Sequence, residues 1–374
     1  MPTPLPEYYI GIMSGTSLDG IDIALVEMTN DPTLVDFHYS PFPHDIRSLL
    51  NAFCQPNHLT SPQKLGQLDS QLGELFATSV NELLAKTHLS PHKIRAIGCH
   101  GQTIHHAPDS QYPFSMQLGN PNVIAERTGI TTVADFRRRD IAAGGQGAPL
   151  VPYFHEAIFQ HPKENRVIVN IGGIANITIL PSQQSGSVSS GFDTGPGNTL
   201  LDQWIYKTKQ QPYDQSGLWA QSGQPQPEII KLLKSDPFFT QAPPKSSGRE
   251  YFSLDWLTDR LGQLNTTYAP EDIQASLTLL TAQTIADAIT HYAPDTDRIY
   301  ICGGGAHNTT LIANMKALRL SPIELTSALG INPNHVEAIA FAWLAKRCLD
   351  KKPGNLTSVT GASHPVILGA IYQH

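Results

Sequence analysis

A chain of 374 residues, 40% hydrophobic and 15% charged, has the composition of a globular protein and length for two domains or one large one, which excludes a disordered chain. Its net charge of −7 implies no basic face and argues against nucleic acid as the main partner. Gly and Pro, 29 each, point to many turns and to function carried on loops.

Residues 8–13 and 21–26 are apolar, β-branched runs flanking Ser14-Gly15-Thr16-Ser17-Leu18-Asp19-Gly20, a pattern that predicts a buried β-hairpin. Gly15 and Gly20 can take positive φ, so the tip can present backbone N–H groups beside the hydroxyls of Ser14, Thr16 and Ser17. Those groups suit a polyphosphate, and Asp19 and Asp22 stand where a hydrated Mg²⁺ would need a carboxylate. An ordinary hairpin with a hydrophilic tip fits the same stretch. Residues 31–58 read as loop, with strand character near 34–39. Ser61-Pro62 then opens a helix whose buried face is Leu65, Leu68, Leu72, Leu75, Phe76, Val80, Leu83 and Leu84, ended by Ser90-Pro91.

A strand over 94–99 runs into His100-Gly101-Gln102-Thr103, a helix over 120–127 closes at Gly129, and a strand over 131–134 runs into Asp135-Phe136-Arg137-Arg138-Arg139-Asp140. Strands alternating with helices predict an α/β domain. Residues 142–152, AAGGQGAPLVP, are the expected crossing between domains. In 166–180 two β-branched runs again flank a glycine turn, Gly172-Gly173, which repeats the opening hairpin as a weak internal duplication. A glycine turn over 191–198 precedes a helix from Thr199. Residues 210–248, rich in Gln, Pro and Ser, read as a surface excursion with a short helix over 228–234. Pro270 opens a long helix to Tyr292 with Ile273, Leu277, Leu280, Ile285 and Ile289 inward. A strand over 298–302 ends in Gly303-Gly304-Gly305-Ala306-His307-Asn308, and helices follow to Leu318, over 334–349 and over 365–372.

Four scattered cysteines, Cys54, Cys99, Cys302 and Cys348, lack metal or disulfide spacing and read as reduced thiols. The opening MPTPLPEYY lacks a basic and then apolar region, so no signal peptide is expected. There is no 18-residue apolar run to span a membrane. A soluble, cytoplasmic protein is the expectation.

Neither Gly-x-x-x-x-Gly-Lys-Ser/Thr nor a strand leading into Gly-x-Gly-x-x-Gly occurs, which argues against P-loop and Rossmann enzymes. Residues 303–308 suit either close backbone approach of a nucleotide or a tight strand-to-helix turn. Asp193, in GFDTGPGN, is a carboxylate on a glycine turn and a candidate general base; since Asn198 already suits the helix cap, the catalytic role is favoured over turn formation. Cys99, His100, His105 and His106 match no common zinc spacing, and HGQT reads better as a substrate-contacting loop. Arg137–139 read as a solvated run paired with Asp135 and Asp140, or Arg137 grips a substrate carboxylate in bidentate fashion. Glu337 complements a helix dipole or accepts a sugar hydroxyl.

GIMSGTSLDGID, CHGQT, DFRRRDIAAGGQGAPLVP, NIGGIANIT, GFDTGPGN and EAIAFAWLA run in order through almost the whole chain. Together they resemble the anhydro-N-acetylmuramic acid kinase family, within the actin, hexokinase and sugar-kinase superfamily. The resemblance implies an α/β, two-domain actin-like ATPase (hexokinase-like) fold with a mixed sheet in each domain, flanking helices and a deep interdomain cleft. Residues 1–155, completed by 360–374, would form the sugar-side domain, and 156–360 the nucleotide-binding domain. On that fold the tip residues Gly15, Thr16, Ser17, Leu18, Asp19, Gly20, Ile21 and Asp22, with Gly172 and Gly173, clasp the phosphates of ATP. Gly303, Gly304, Gly305 and Asn308 border the adenosine, and Asp19 and Asp22 hold Mg²⁺ through water.

By the same resemblance Asp193 is the base, Ser14, His100, Gln102, Thr103, Arg137 and Glu337 are substrate-side contacts, and the chain is a homodimer. The family opens the 1,6-anhydro bridge of anhydro-N-acetylmuramic acid and phosphorylates O6, in peptidoglycan recycling. Residues 210–248 are the loosest part of the match and are expected to bear on no chemistry. One carboxylate suffices for such a reaction, because the leaving O6 is captured by a phosphoryl group and not by a proton. Two other readings compete: a simple sugar kinase acting on a free hydroxyl, and a non-catalytic ATP-driven conformational protein. The compact polar loops at 100–103 and 135–140, which suit the walls of a small-ligand site, stand against the second.

Overall fold

The computed structural model describes residues 6–15, 17–29, 31–54, 60–248, 251–318 and 321–374; Thr16, a candidate phosphate contact, lies outside the described residues. The chain forms two compact units, residues up to 158 together with 335–374, and residues 159–334. The crossing therefore falls after residue 158 rather than within 142–152. The return falls at 335, so the stretch from there to 360 joins the first unit and not the second.

In the first unit β1 (Tyr8–Ser14), β2 (Gly20–Glu27), β3 (Thr33–Pro41), β4 (Ile94–Ala107), β5 (Phe114–Leu118) and β6 (Thr132–Ala134) join the C-terminal strand Ala370–Tyr372 in one sheet. Its order is C-terminal strand, β6, β4, β1, β2, β3, with β5 on β4. β1 is antiparallel to β2 and parallel to β4, so the sheet is mixed. Side chains of β1 alternate between faces. Ile10 and Ile12 join the core with Leu68, Leu72, Phe76, Val80 and Leu83 of helix Pro62–Thr87. Ser61 caps that helix, accepting from the Lys64 N–H at 3.2 Å.

On the other face Gly11 and Gly98 are direct partners across β1 and β4. Helix Val336–Leu349 lies directly on them: a Cβ on Gly11 would collide with the Ala338 carbonyl, and one on Gly98 with that of Phe341. Backbone-to-backbone contact of this kind needs two side-chain-free positions in register, which is why the helix belongs to this unit.

The second unit has β7 (Arg166–Ile171), β8 (Ile174–Leu180), β9 (Ser190–Pro196), β10 (Arg298–Cys302) and β11 (Ile323–Leu325), in the order β11, β10, β7, β8, β9. β7–β8 and β8–β9 are antiparallel, β7–β10 and β10–β11 parallel. Order and sense repeat those of β6, β4, β1, β2, β3, so the duplication read from two hairpins extends to five strands. Helix Pro270–Tyr292 covers this sheet with Ala282, Ile285 and Ile289. Its Leu277 and Leu280 enter a second core with Trp204, Ile229, Leu233, Phe238, Phe252 and Leu257. The polar-looking excursion thus shares a second core with the long helix.

Three local expectations are corrected. Residues 365–372 form no helix: Val366 and Leu368 are buried, Ile367 is exposed, and this period of two leads through Gly369 (φ 96°) into the C-terminal strand, antiparallel to β6. A helix, His44–Phe53, occupies part of the supposed loop, burying Ile46 and Leu50. The 191–198 glycine turn is mostly strand β9.

Candidate active site

The first hairpin pairs from Tyr8↔Glu27 to Met13↔Asp22, which leaves its tip at residues 15–19. The Leu18 N–H donates to the Gly15 carbonyl at 3.3 Å, and Ser17 Oγ donates to Asp19 Oδ1 at 2.5 Å. Positive φ falls on neither Gly15 nor Gly20 but on Leu18 (55°), whose buried side chain anchors the turn in the core. Such a conformation in a non-glycine residue is held by its surroundings. Gly20 is needed for close approach instead, since a Cβ would press on the Ser40 carbonyl at 2.6 Å. Above Gly15 the space is open, and Ile21 is buried, so only its backbone can face a ligand.

Ser14 and Gln102 brace the tip. Ser14 Oγ donates to Gln102 Oε1 at 2.5 Å, while Gln102 Nε2 donates to the carbonyls of Gly15 (3.2 Å) and Thr103 (3.1 Å). The buried Gln102 amide thus holds the hairpin to β4, and Thr103 Oγ1 accepts from Gln117 at 3.1 Å.

Asp22, at the base of the tip, has its carboxyl pushed up to about 7 by burial and by the neighbouring charges of Asp19 and Glu337. Three carboxylates gathered in this way suit a cation. Among the described residues no group of three His, Cys, Asp or Glu is placed to ligate a metal directly. These residues would fit a divalent cation that keeps much of its water and not one they ligate alone.

Arg137 Nε and Nη2 both donate to His100 Nε2 (3.2 and 2.8 Å), and Nη1 donates to the Gly147 carbonyl at 2.8 Å. The edge that would grip a carboxylate in bidentate fashion is turned on His100. As Nε2 accepts, the neutral imidazole carries its proton on Nδ1; burial, then the guanidinium charge, pulls its pKa down to about 3. Asp135 pairs with Arg138 as expected (2.8 Å), but Asp140 does not pair with this run. It is fully buried and accepts from the Gly147 N–H, Asn355 Nδ2 and Thr360 Oγ1, each at 2.8 Å, tying the 137–147 loop to the end of the chain.

In the second unit the Gly172-Gly173 turn meets the start of helix Thr199–Lys209. The N–H groups of Gly197 and Thr199 donate to the Gly173 carbonyl (2.9 and 3.0 Å), and that of Asn198 to Gly172 (2.8 Å). The Asn198 side chain forms no cap and donates instead to the Ile171 carbonyl at 3.4 Å. Gly303 (φ 81°) follows β10 and passes so close to Asn170 and Ile171 that a Cβ could not fit. Gly304 is open, its added Cβ meeting nothing nearer than Asn198 Nδ2 at 3.8 Å, and Gly305 sits against Ile171. Asn308 caps helix Thr309–Ala317, accepting from the Leu311 N–H at 3.0 Å. The two glycine turns and the end of β9 therefore converge. Beyond the cap lies a cavity of about 430 Å³ lined by Gln221, Pro225, Ala275, Thr309, Thr310 and Asn314, among others.

Asp193 lies on β9 opposite Asn176 of β8, 6% exposed. Its N–H donates to the Lys245 carbonyl (3.1 Å), and its Oδ2 accepts from the Ser247 N–H (2.8 Å). Residues 210–248, expected to bear on no chemistry, supply the contacts that orient this carboxylate. A lone Lys and Ser among prolines and serines give no periodic signal, and the contact joins residues 54 apart in sequence.

The chain matches the family "Anhydro-N-acetylmuramic acid kinase" over residues 7–374. It is 49% identical over 369 residues to an anhydro-N-acetylmuramic acid kinase of Pasteurella multocida, covering 98% of this chain and 96% of that one. It is 50% identical over 376 residues to one of Xylella fastidiosa, covering 99% and 97%. Among solved structures it is similar to the (R)-2-hydroxyglutaryl-CoA dehydratase component A of Acidaminococcus fermentans (TM-score 0.49, 12% identity, 90% of this chain and 96% of that one). With these full-length matches, the chain belongs to the anhydro-N-acetylmuramic acid kinase family.

Proposed function

We propose that this chain uses ATP to open 1,6-anhydro-N-acetylmuramic acid with water and to phosphorylate O6, giving N-acetylmuramic acid 6-phosphate and ADP. The observation that carries the site assignment is Asp193, fixed on β9 by the Ser247 N–H, three residues before Pro196 leads into the bend that meets the Gly172-Gly173 turn. Asp193 takes a proton from water as the water oxygen bonds to C1. The C1–O6 bond breaks, O6 bonds to the γ-phosphorus, and the bond from that phosphorus to the ADP oxygen breaks.

Backbone N–H groups at the two hairpin tips, those of Gly15 and Gly173 among them, stabilise charge on the phosphates, and the cavity beside Thr309 and Asn314 supplies room for the adenosine. Mg²⁺, when bound, neutralises phosphate charge, with Asp19 and Asp22 the residues to hold it through water. On the sugar side we place Ser14, His100, Thr103 and Glu337, with Arg137 fixing the His100 tautomer and Gln102 bracing the tip. A cytoplasmic homodimer on the actin-like fold belongs to the same proposal; sedimentation tests the dimer.

ADP release with and without the anhydro-sugar is the direct assay. Asp193→Asn is expected to abolish it while ATP binding survives, and wild-type turnover would remove the assignment. Solvent oxygen-18 appears at C1 of the product if water opens the bridge. Its absence would return the reaction to transfer onto a free hydroxyl.

A further inference from the structure

Ser247 carries one feature that its backbone contact does not use. Its Oγ is buried and has no hydrogen-bond partner among the described residues, although its N–H is joined to Asp193 Oδ2. An unmatched buried hydroxyl is costly, and one kept in a fold calls for an explanation such as a catalytic role or a bound water. Residues on either side of it in the chain meet at one buried carboxylate. Asp236, almost fully buried, accepts from the Phe238 N–H (2.9 Å), Tyr251 Oη (2.6 Å), Trp256 Nε1 (3.0 Å) and Arg260 Nη2 (2.6 Å). That clamp holds Phe238 on one side of Ser247 and Tyr251 on the other.

Between Phe238 and Ser247 in the chain, the Lys245 ammonium is also buried. It donates to the Phe238 carbonyl at 3.0 Å and lies 4.6 Å from the Phe238 ring centre. Burial pulls its pKa down, and the Asp193 charge opposes that pull. Ser247 therefore gives one donor to the base and carries, on the same residue, a hydroxyl unmatched among the described residues.

We infer that Ser247 is a second catalytic residue, whose hydroxyl binds the oxygen that Asp193 deprotonates while its N–H holds Asp193 in place. The inference rests on Asp193 being the base. In the reaction the Ser247 hydroxyl keeps its proton and its oxygen makes no covalent bond. It accepts from, or donates to, the attacking oxygen and removes one degree of freedom from it.

The test is steady-state ADP release by the full chain with ATP and the anhydro-sugar. Ser247→Ala keeps the N–H and deletes the hydroxyl; kcat is expected to fall about tenfold, the effect of one neutral hydrogen bond, with KM for ATP unchanged. Ser247→Thr restores the hydroxyl and most of the rate. An alanine variant within about twofold of wild type overturns the inference, as do equal losses in both variants, which would mark a packing role. Asp193→Asn, measured alongside, separates the two levels. Turnover surviving there defeats the assignment of the base itself, whereas a dead Asp193→Asn with a normal Ser247→Ala defeats this inference alone.

Discussion

Replacing Asp22 by Asn should make the nucleotide-free protein more stable near neutral pH. The Asp22 carboxyl is pushed from 3.8 to about 7 by burial and by Asp19 and Glu337. Between about pH 4 and 7 the folded chain keeps a proton that the unfolded chain releases, so stability falls as pH rises through that window and the penalty is complete above it. A shift of about 3 units corresponds to roughly 4 kcal/mol as an upper limit. Asp22 is only partly withdrawn from water, so screening and relaxation reduce this to about 2 kcal/mol. Urea unfolding of both proteins between about pH 4 and pH 8 is the assay. Asp22→Asn should match wild type at the acid end and exceed it by about 2 kcal/mol at the basic end. ATP with Mg²⁺ should narrow the gap, because a cation relieves the same repulsion. An Asn variant no more stable than wild type at pH 8, or one with an equal advantage at both ends, would refute carboxylate repulsion as the cause.

Two further outcomes follow from packing. Gly98→Ala places a methyl group on the Phe341 carbonyl, and since both backbones are fixed the helix must lift; a loss of about 3 kcal/mol or more is expected in thermal unfolding, whereas Gly66→Ala, on an open helix face, should be neutral or slightly stabilising. Asp236→Asn removes the charge that Arg260 faces and part of a four-donor clamp. Burial pushes that carboxyl up, but Tyr251, the Phe238 N–H, Trp256 and Arg260 together outweigh it and hold the pKa below the ordinary range. Its stabilisation is therefore present above about pH 4 and lost on acidification; the variant should cost about 2–3 kcal/mol at pH 7 and less at low pH, read by unfolding midpoints.

Both hairpins and the long helices were legible because each is written in a local period. Ser61-Pro62 opens one helix where expected, and Pro270 to Tyr292 matches the other, with all five predicted inward residues buried. Legibility failed where a residue's role is set by distant chain. Leu18 takes the left-handed conformation because the core holds its side chain, which no property of the turn's glycines reveals. Arg137 looks like a ligand for an anion, yet its edge is turned on a histidine 37 residues earlier. Ser247 and Lys245 sit in a stretch without pattern and gain meaning only once β9 lies beside them. Asp140 looks in the sequence like a partner of the adjoining arginines, whereas its donors include groups 215 and 220 residues away.

The seat of helix Val336–Leu349 on Gly11 and Gly98 has a consequence for how the chain is made. The second unit is one uninterrupted run, 159–334, and holds all its contacts once that run has left the ribosome. The first is split, and its earliest strands wait for the final forty residues before one face is covered. During synthesis the middle of the polypeptide can thus mature ahead of the beginning, and nascent β1 and β4 spend the interval with their glycine-bearing face bare, the period in which a chaperone would have most to protect.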